Sequence, residues 1–351
     1  MLVIVEDGGG LANRLFVFAN IIAAGLATGH RVANPAFRGW AASFEGTAGD
    51  GLSFYPRRLR PRFGGALPSR FAASLSYRGC ALVAKTSGFG PTRAIALEWP
   101  QSCDLDDPVI TADLKKRRLV LLKGWLFRHR TGVELHADLI RDFFRPVVSI
   151  REEADRLVDA ARRQADVLVG VHIRRRDYRS FMDGRYFYDL GSYLASMKSV
   201  AAIFSPRRVA FLVCSDEMLD LSSVEGVSLT TSAMGPVQDL WALSRCDLVM
   251  GPPSTFSTWA AFLGKVPRWE IVVSDAEPAE NDFVVPSPVP RTPQEMGRGN
   301  GSMGRENNPH QCPQRSATCA DSGPGYDTAH DARRRLEPVT RFRHCHALLE
   351  L

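Results

Sequence analysis

The chain has 351 residues, 45% of them hydrophobic, with a formal net charge of +6. That length and composition predict two ordinary cores, or one core and a tail, and exclude a fibrous or wholly disordered protein. The positive balance suits an anionic ligand or surface, and no run reaches about 18 uninterrupted apolar residues, so no membrane span is expected.

Leu2 to Val5 is a short β-rich run. Gly8, Gly9 and Gly10 then make a sharp turn into a helix over 11–28, with Leu11, Leu15, Phe18, Ile22 and Leu26 on one face and Gly29 placed to end it. From Phe37 to Asp107 the chain is rich in Gly, Pro, Ser and Arg and reads as loops and short helices, expected to face an acceptor. A strand follows at 118–122.

Beyond Arg151 the alternation is cleaner. Helices are predicted over 151–164, 237–246 and 255–263, and strands over 167–173, 209–214, 247–250 and 269–273. Strands alternating with helices predict a parallel sheet, and the chain divides into 1–150 and 151–285 as two Rossmann-like layers. After Pro286 prolines crowd and apolar periodicity ends. Such a stretch cannot offset its ordering entropy, so 286–351 is predicted to be a disordered tail or the product of a shifted frame.

Cys80, Cys103, Cys214, Cys246, Cys312, Cys319 and Cys345 form no CxxC pair. The scatter predicts free thiols in a reducing compartment and no zinc site. The opening MLVIVEDGGG runs straight into a strand, which predicts a cytoplasmic location, extending to peripheral contact with the inner face of a membrane.

The densest chemical signal is VGVHIRRRDY, 169–178, where an apolar strand empties into Arg174, Arg175 and Arg176, then Asp177 and Tyr178. Parallel sheets bind ligands at the carboxyl ends of their strands, and arginine suits a pyrophosphate because its planar fork donates paired hydrogen bonds. The plainer alternative is a basic surface run pairing with nearby acids. Arg174 and Arg175 point to opposite faces of an extended strand unless the chain turns there. His172 alone is more readily structural than an acid or base. Ser254 and Thr255 stand where a helix begins, either as an ordinary cap or as an anion site. Asp239 opens another helix, where a carboxylate also favours the dipole. GGGLAN lacks the glycine register and following acid of a dinucleotide fingerprint.

HIRRRDY resembles the HxRRxDY motif of the α-1,2-fucosyltransferases and the HxRR signature of the wider α-1,2/α-1,6/O-fucosyltransferase superfamily. GGGLANRLFVFA, 8–19, is similar to that family's GGLGNQLFQYA, and the stretch 239–264 to its acid-led helix, strand and NSSFSWWGAWL segment; FLVCSDE, 211–217, is a weaker match. The resemblance implies a GT-B-like fold and an inverting, metal-independent transfer of fucose from GDP-fucose to a glycan or lipid-linked oligosaccharide, with no nucleic-acid partner and no cofactor. It places Arg174 on the β-phosphate, with Arg175 in support. His172 then shapes the nucleotide pocket, Ser254 and Thr255 lie on the phosphates, Asp239 on guanine, and Asn13 on the diphosphate or sugar. Asp216 joins the nucleotide side. Asp7, Asp177 and Asp216 are the candidates for a general base, with Asp177 carried as catalytic. Arg176 replaces a family glycine, a substitution costly where φ must be positive. A non-catalytic GDP- or glycan-binding protein is the alternative.

Overall fold

The computed structural model describes residues 1–6, 8–57, 92–98, 100–163, 165–221, 226–274 and 277–286. The tail expected beyond Pro286 therefore lies outside the described residues, as do Asp7 and most of the arginine-rich run after Pro56.

The first half opens with β1 (Leu2–Ile4) and α1 (Leu11–Thr28). Gly29 ends α1 in the left-handed region at φ 73°, its amide donating to the Gly25 carbonyl, as the glycine's position suggests. β2 (Val32–Ala33), β3 (Phe54–Tyr55), β4 (Thr92–Ala96) and β6 (Leu119–Lys123) join β1 in a five-stranded sheet of order β3-β2-β1-β6-β4. Only the β2–β3 pairing is antiparallel. β5 (Cys103–Asp104) and β7 (Phe127–Arg128) make a separate parallel pair, and α2 (Pro108–Lys116) lies between β5 and β6 in sequence. α3 (Arg130–Leu135) and α4 (Ala137–Phe143) then lead to the second half.

There, α5 (Val148–Arg162) buries Ala154, Val158 and Ala161, one helical stripe, against the sheet. β8 (Val167–Ile173), α6 (Leu190–Ile203), β9 (Val209–Ser215), β10 (Ser228–Thr231), α7 (Pro236–Ser244), β11 (Leu248–Gly251), α8 (Thr255–Gly264) and β12 (Arg268–Glu270) follow. The five strands are all parallel in the order β10-β9-β8-β11-β12. Every residue of β8 is buried, because a central parallel strand is covered on both faces. Val167, Val169, Val171 and Ile173 pack with Tyr193 and Met197 on one side, and Leu168 packs with Ala154 and Val158 on the other.

Two Rossmann-like layers are thus present, and both belong to one compact unit. The chain runs β8, β9, β10 to one side and then returns to β11 and β12 on the other. The order reverses between β8 and β11, and in open α/β sheets ligands bind in the crevice outside the strand ends at such a point. The first sheet reverses in the same way between β1 and β6.

The halves are joined by aromatic packing. Trp259 of α8 is fully buried, its ring 4.8 Å from Phe16 of α1 and 5.4 Å from Phe144. The guanidinium of Arg141, in α4, donates 2.7 Å to the Phe262 carbonyl. α1 has the length and mean hydropathy, 1.5, of a membrane span, which a count of uninterrupted apolar residues does not reveal. With 72% of it buried inside the fold, it is the central helix of this core.

Candidate active site

The chemistry gathers at the carboxyl ends of β8, β9 and β11. His172 is the penultimate residue of β8 and is buried, with its ring 5.0 Å from that of Phe256 in α8. Burial, reinforced by the charges of Arg174 and Arg268, pushes its pKa down to about 3. The imidazole is therefore neutral at physiological pH and suited to shaping a pocket. Its Nδ1 is buried and makes no hydrogen bond among the described residues.

Past the end of the strand the two arginines diverge. Arg174 donates through Nε and Nη2 to the two oxygens of Asp177, at 2.9 and 2.7 Å. Its guanidinium carbon lies 5.0 Å from the Tyr178 ring centroid. This bidentate clamp fixes the guanidinium plane and leaves Nη1 for a ligand. Arg175 turns the other way, its Nε 3.2 Å from Glu217 and its guanidinium over Phe187. Its backbone amide donates 3.0 Å to Asp216, so Asp216 ties the end of β9 to that of β8.

Between them Arg176 adopts φ −49° and ψ −74°, a right-handed conformation open to any L-residue. The position does not need positive φ, so the substitution for a family glycine carries no backbone strain there. The turn it makes swings Asp177 back onto Arg174.

Ser254 caps α8, accepting 3.2 Å from the Phe256 amide. Thr255 donates 2.8 Å to the side-chain oxygen of Asn13, which lies in the first turn of α1. α1 begins at Gly10 with no side-chain cap. The Asn13–Thr255 bond thus brings two helix N-termini, from opposite halves of the chain, to one place. Each carries partial positive charge and amides without intrahelical partners.

Asp239 lies one to two strands away, in the first turn of α7, where it is buried and accepts from the Ser232 hydroxyl. Burial pushes its carboxyl up to about 6, against the opposing pull of Ser232 and Cys214. Strands are spaced about 4.8 Å apart, so the ends of β9 and β11 stand roughly 10 Å apart, a span comparable with that from a base to its diphosphate.

Sequence reasoning missed Arg268. It is buried, donating 3.1 Å to Ser257 and 2.9 Å to the Pro252 carbonyl, and it braces the loop before α8 from beneath. Gly251 closes the same corner, since a Cβ there would lie 2.6 Å from the His172 carbonyl oxygen. Gly251→Ala is expected to cost about 1–3 kcal/mol of stability, because backbone must shift to relieve that contact. Denaturant unfolding checks it, and an unchanged midpoint would contradict the close approach of β8 and β11.

The family model described as "Glycosyl transferase family 11" matches residues 126–279, which hold the whole second sheet and every candidate except Asp7 and Asn13. The matched region begins after the Gly8–Gly10 loop and α1. A comparison with curated protein sequences gives no match. Among solved structures, the chain is similar to a mutant of Arabidopsis thaliana FUT1 in complex with GDP, at 15% identity and TM-score 0.49, covering 84% of this chain and 74% of that one. It is also similar to the fucosyltransferase NodZ from Bradyrhizobium, at 17% identity and TM-score 0.47, covering 77% and 94%. POFUT1 in complex with GDP-fucose is a third, at 11% identity and TM-score 0.49, covering 76% and 94%.

Proposed function

We propose that this protein is a glycosyltransferase that transfers fucose from GDP-fucose to a hydroxyl of a glycan or lipid-linked oligosaccharide, with inversion and without a metal ion. The observation that carries the reading is the pair of helix N-termini, joined through Asn13 and Thr255, at the strand ends that bear the clamped Arg174. A departing nucleoside diphosphate gathers negative charge on its β-phosphate, and fixed donors aimed there lower the barrier. Arg174 Nη1, the Ser254–Thr255 end of α8 and the first turn of α1 supply such donors. Together they provide the neutralisation a divalent ion would otherwise give.

Within this reading Asn13 and Thr255 hold the diphosphate and sugar, and neutral His172 walls the nucleotide pocket against Phe256. Arg175 supports from the Glu217 side, with Asp216 fixing its backbone. Both oxygens of Asp177 are engaged by Arg174, so Asp177 serves the reaction by orienting that arginine, not by taking the acceptor's proton. Asp239 receives the paired N1–H and N2 donors of guanine, a task for a carboxylate.

That assignment makes GDP binding depend on pH. The raised pKa means Asp239 is ionised above about 6 and protonated below. GDP affinity should fall about tenfold from pH 7 to pH 5, while ADP affinity stays nearly level. The effect on stability has the opposite sign. A carboxyl raised from 3.8 to about 6 in the folded state withdraws stability as pH rises through that window. Asp239→Asn should abolish both the preference for GDP over ADP and its pH dependence. Calorimetric titration of the two nucleotides at pH 5 and 7 tests it. A preference that survives the substitution would remove Asp239 from the base site and with it the guanine reading.

A further inference from the structure

Tyr178 has no role in the chemistry above, yet it touches both anion-binding devices. Its side chain is buried, and its hydroxyl donates to the backbone carbonyl of Pro253, the residue before the Ser254 cap of α8. Its ring lies under the Arg174 guanidinium at 5.0 Å and stacks on Phe181 at 5.3 Å. Burial pushes the phenol up to about 12, so it remains a neutral donor throughout the physiological range. One side chain therefore carries the arginine on its face and the helix-opening loop on its hydroxyl.

We propose that Tyr178 is a positioning residue that locks Arg174 and the N-terminus of α8 into one rigid unit, fixing the distance between the two groups that share the departing diphosphate. The proposal rests on the donor chemistry argued above. The geometry favours it over a purely structural tyrosine. The Arg174–Asp177 clamp sets the plane of the guanidinium, but both residues belong to the same short turn after β8 and would move together. Arg268 holds the Pro252 carbonyl and braces α8 through Ser257, from β12 rather than from the Arg174 turn. The Tyr178 hydroxyl makes a direct side-chain link from the Arg174 turn to the Pro252–Ser254 loop. A 1 Å displacement of a donor is enough to cost about a hundredfold in rate, so such a link matters more to turnover than to ground-state binding.

The test compares wild type, Tyr178→Phe, Arg174→Ala and the double variant, with kcat and KM for GDP-fucose and calorimetric GDP affinity measured for each. Tyr178→Phe keeps the ring and removes the hydroxyl, with its bond to the Pro253 carbonyl and its contact with the Ser254 side chain. It should lower kcat about tenfold with GDP affinity within about threefold of wild type, and the double variant should be no slower than Arg174→Ala alone. An unchanged kcat, or losses that multiply in the double variant, would overturn the proposal while leaving the fucosyl-transfer reading intact. A wild type that binds GDP but turns over no GDP-fucose would refute that reading instead. The positioning role is then judged by hydrogen exchange of the Arg174 Nε–H in the GDP complex, measured by NMR. Exchange should quicken severalfold in Tyr178→Phe, and equal exchange would overturn the proposal.

Discussion

Arg174→Ala is expected to lower kcat by about 10²–10³ while loosening GDP by far less, because in the proposed reaction the guanidinium meets charge that develops only as the glycosidic bond breaks. The expectation follows from how the arginine is held. Asp177 binds two of its nitrogens in one plane, and the ring of Tyr178 supports it, so little reorganisation is needed when charge appears on the diphosphate. Arg174→Lys keeps the charge and loses the fork, and it should fall between the two. Steady-state kinetics with calorimetric GDP titration separates the outcomes. Equal losses in rate and in GDP affinity would show that Arg174 anchors the ground state only.

Trp259→Ala should cost about 3–5 kcal/mol of stability, the range for deleting a large buried aromatic side chain. The ring is fully buried and lies within 5.4 Å of the Phe16, Phe144 and Phe262 centroids. It also holds α8 against α1, and the Asn13–Thr255 bond depends on that packing. Any surviving folded protein should therefore lose donor turnover as well. Denaturant unfolding measures the first effect, and a loss under about 1 kcal/mol would mean the joint between the halves is carried elsewhere.

Much of this site was legible in the sequence because a buried parallel strand leaves a plain trace. The apolar run of β8 ends where His172, Arg174 and Arg175 begin, and Gly10 and Ser254 stand at the helix starts where they were expected. What stayed hidden depends on turns and on contacts distant in sequence. The Asp177 clamp needs the conformation of Arg176, whose sign of φ the resemblance, with its glycine at that position, left open. The Tyr178–Pro253 and Asn13–Thr255 bonds join residues 75 and 242 positions apart, and no local pattern encodes such pairings. Arg268 reads as a strand-edge cation, and only the fold turns it inward. α6 was missed because Gly191 and three serines blur its apolar face, although Asp189, which caps it through the Ser192 amide, offered a start signal. β10 was missed because an edge strand reading SLTT is only half buried.

The most direct measurement is product formation from GDP-fucose, with EDTA present, against a panel of galactosides including lipid-linked ones. The account predicts GDP release coupled to an α-linked fucosylated product, undiminished by chelation. GDP binding without transfer to any acceptor, or activity that disappears with EDTA, would contradict it.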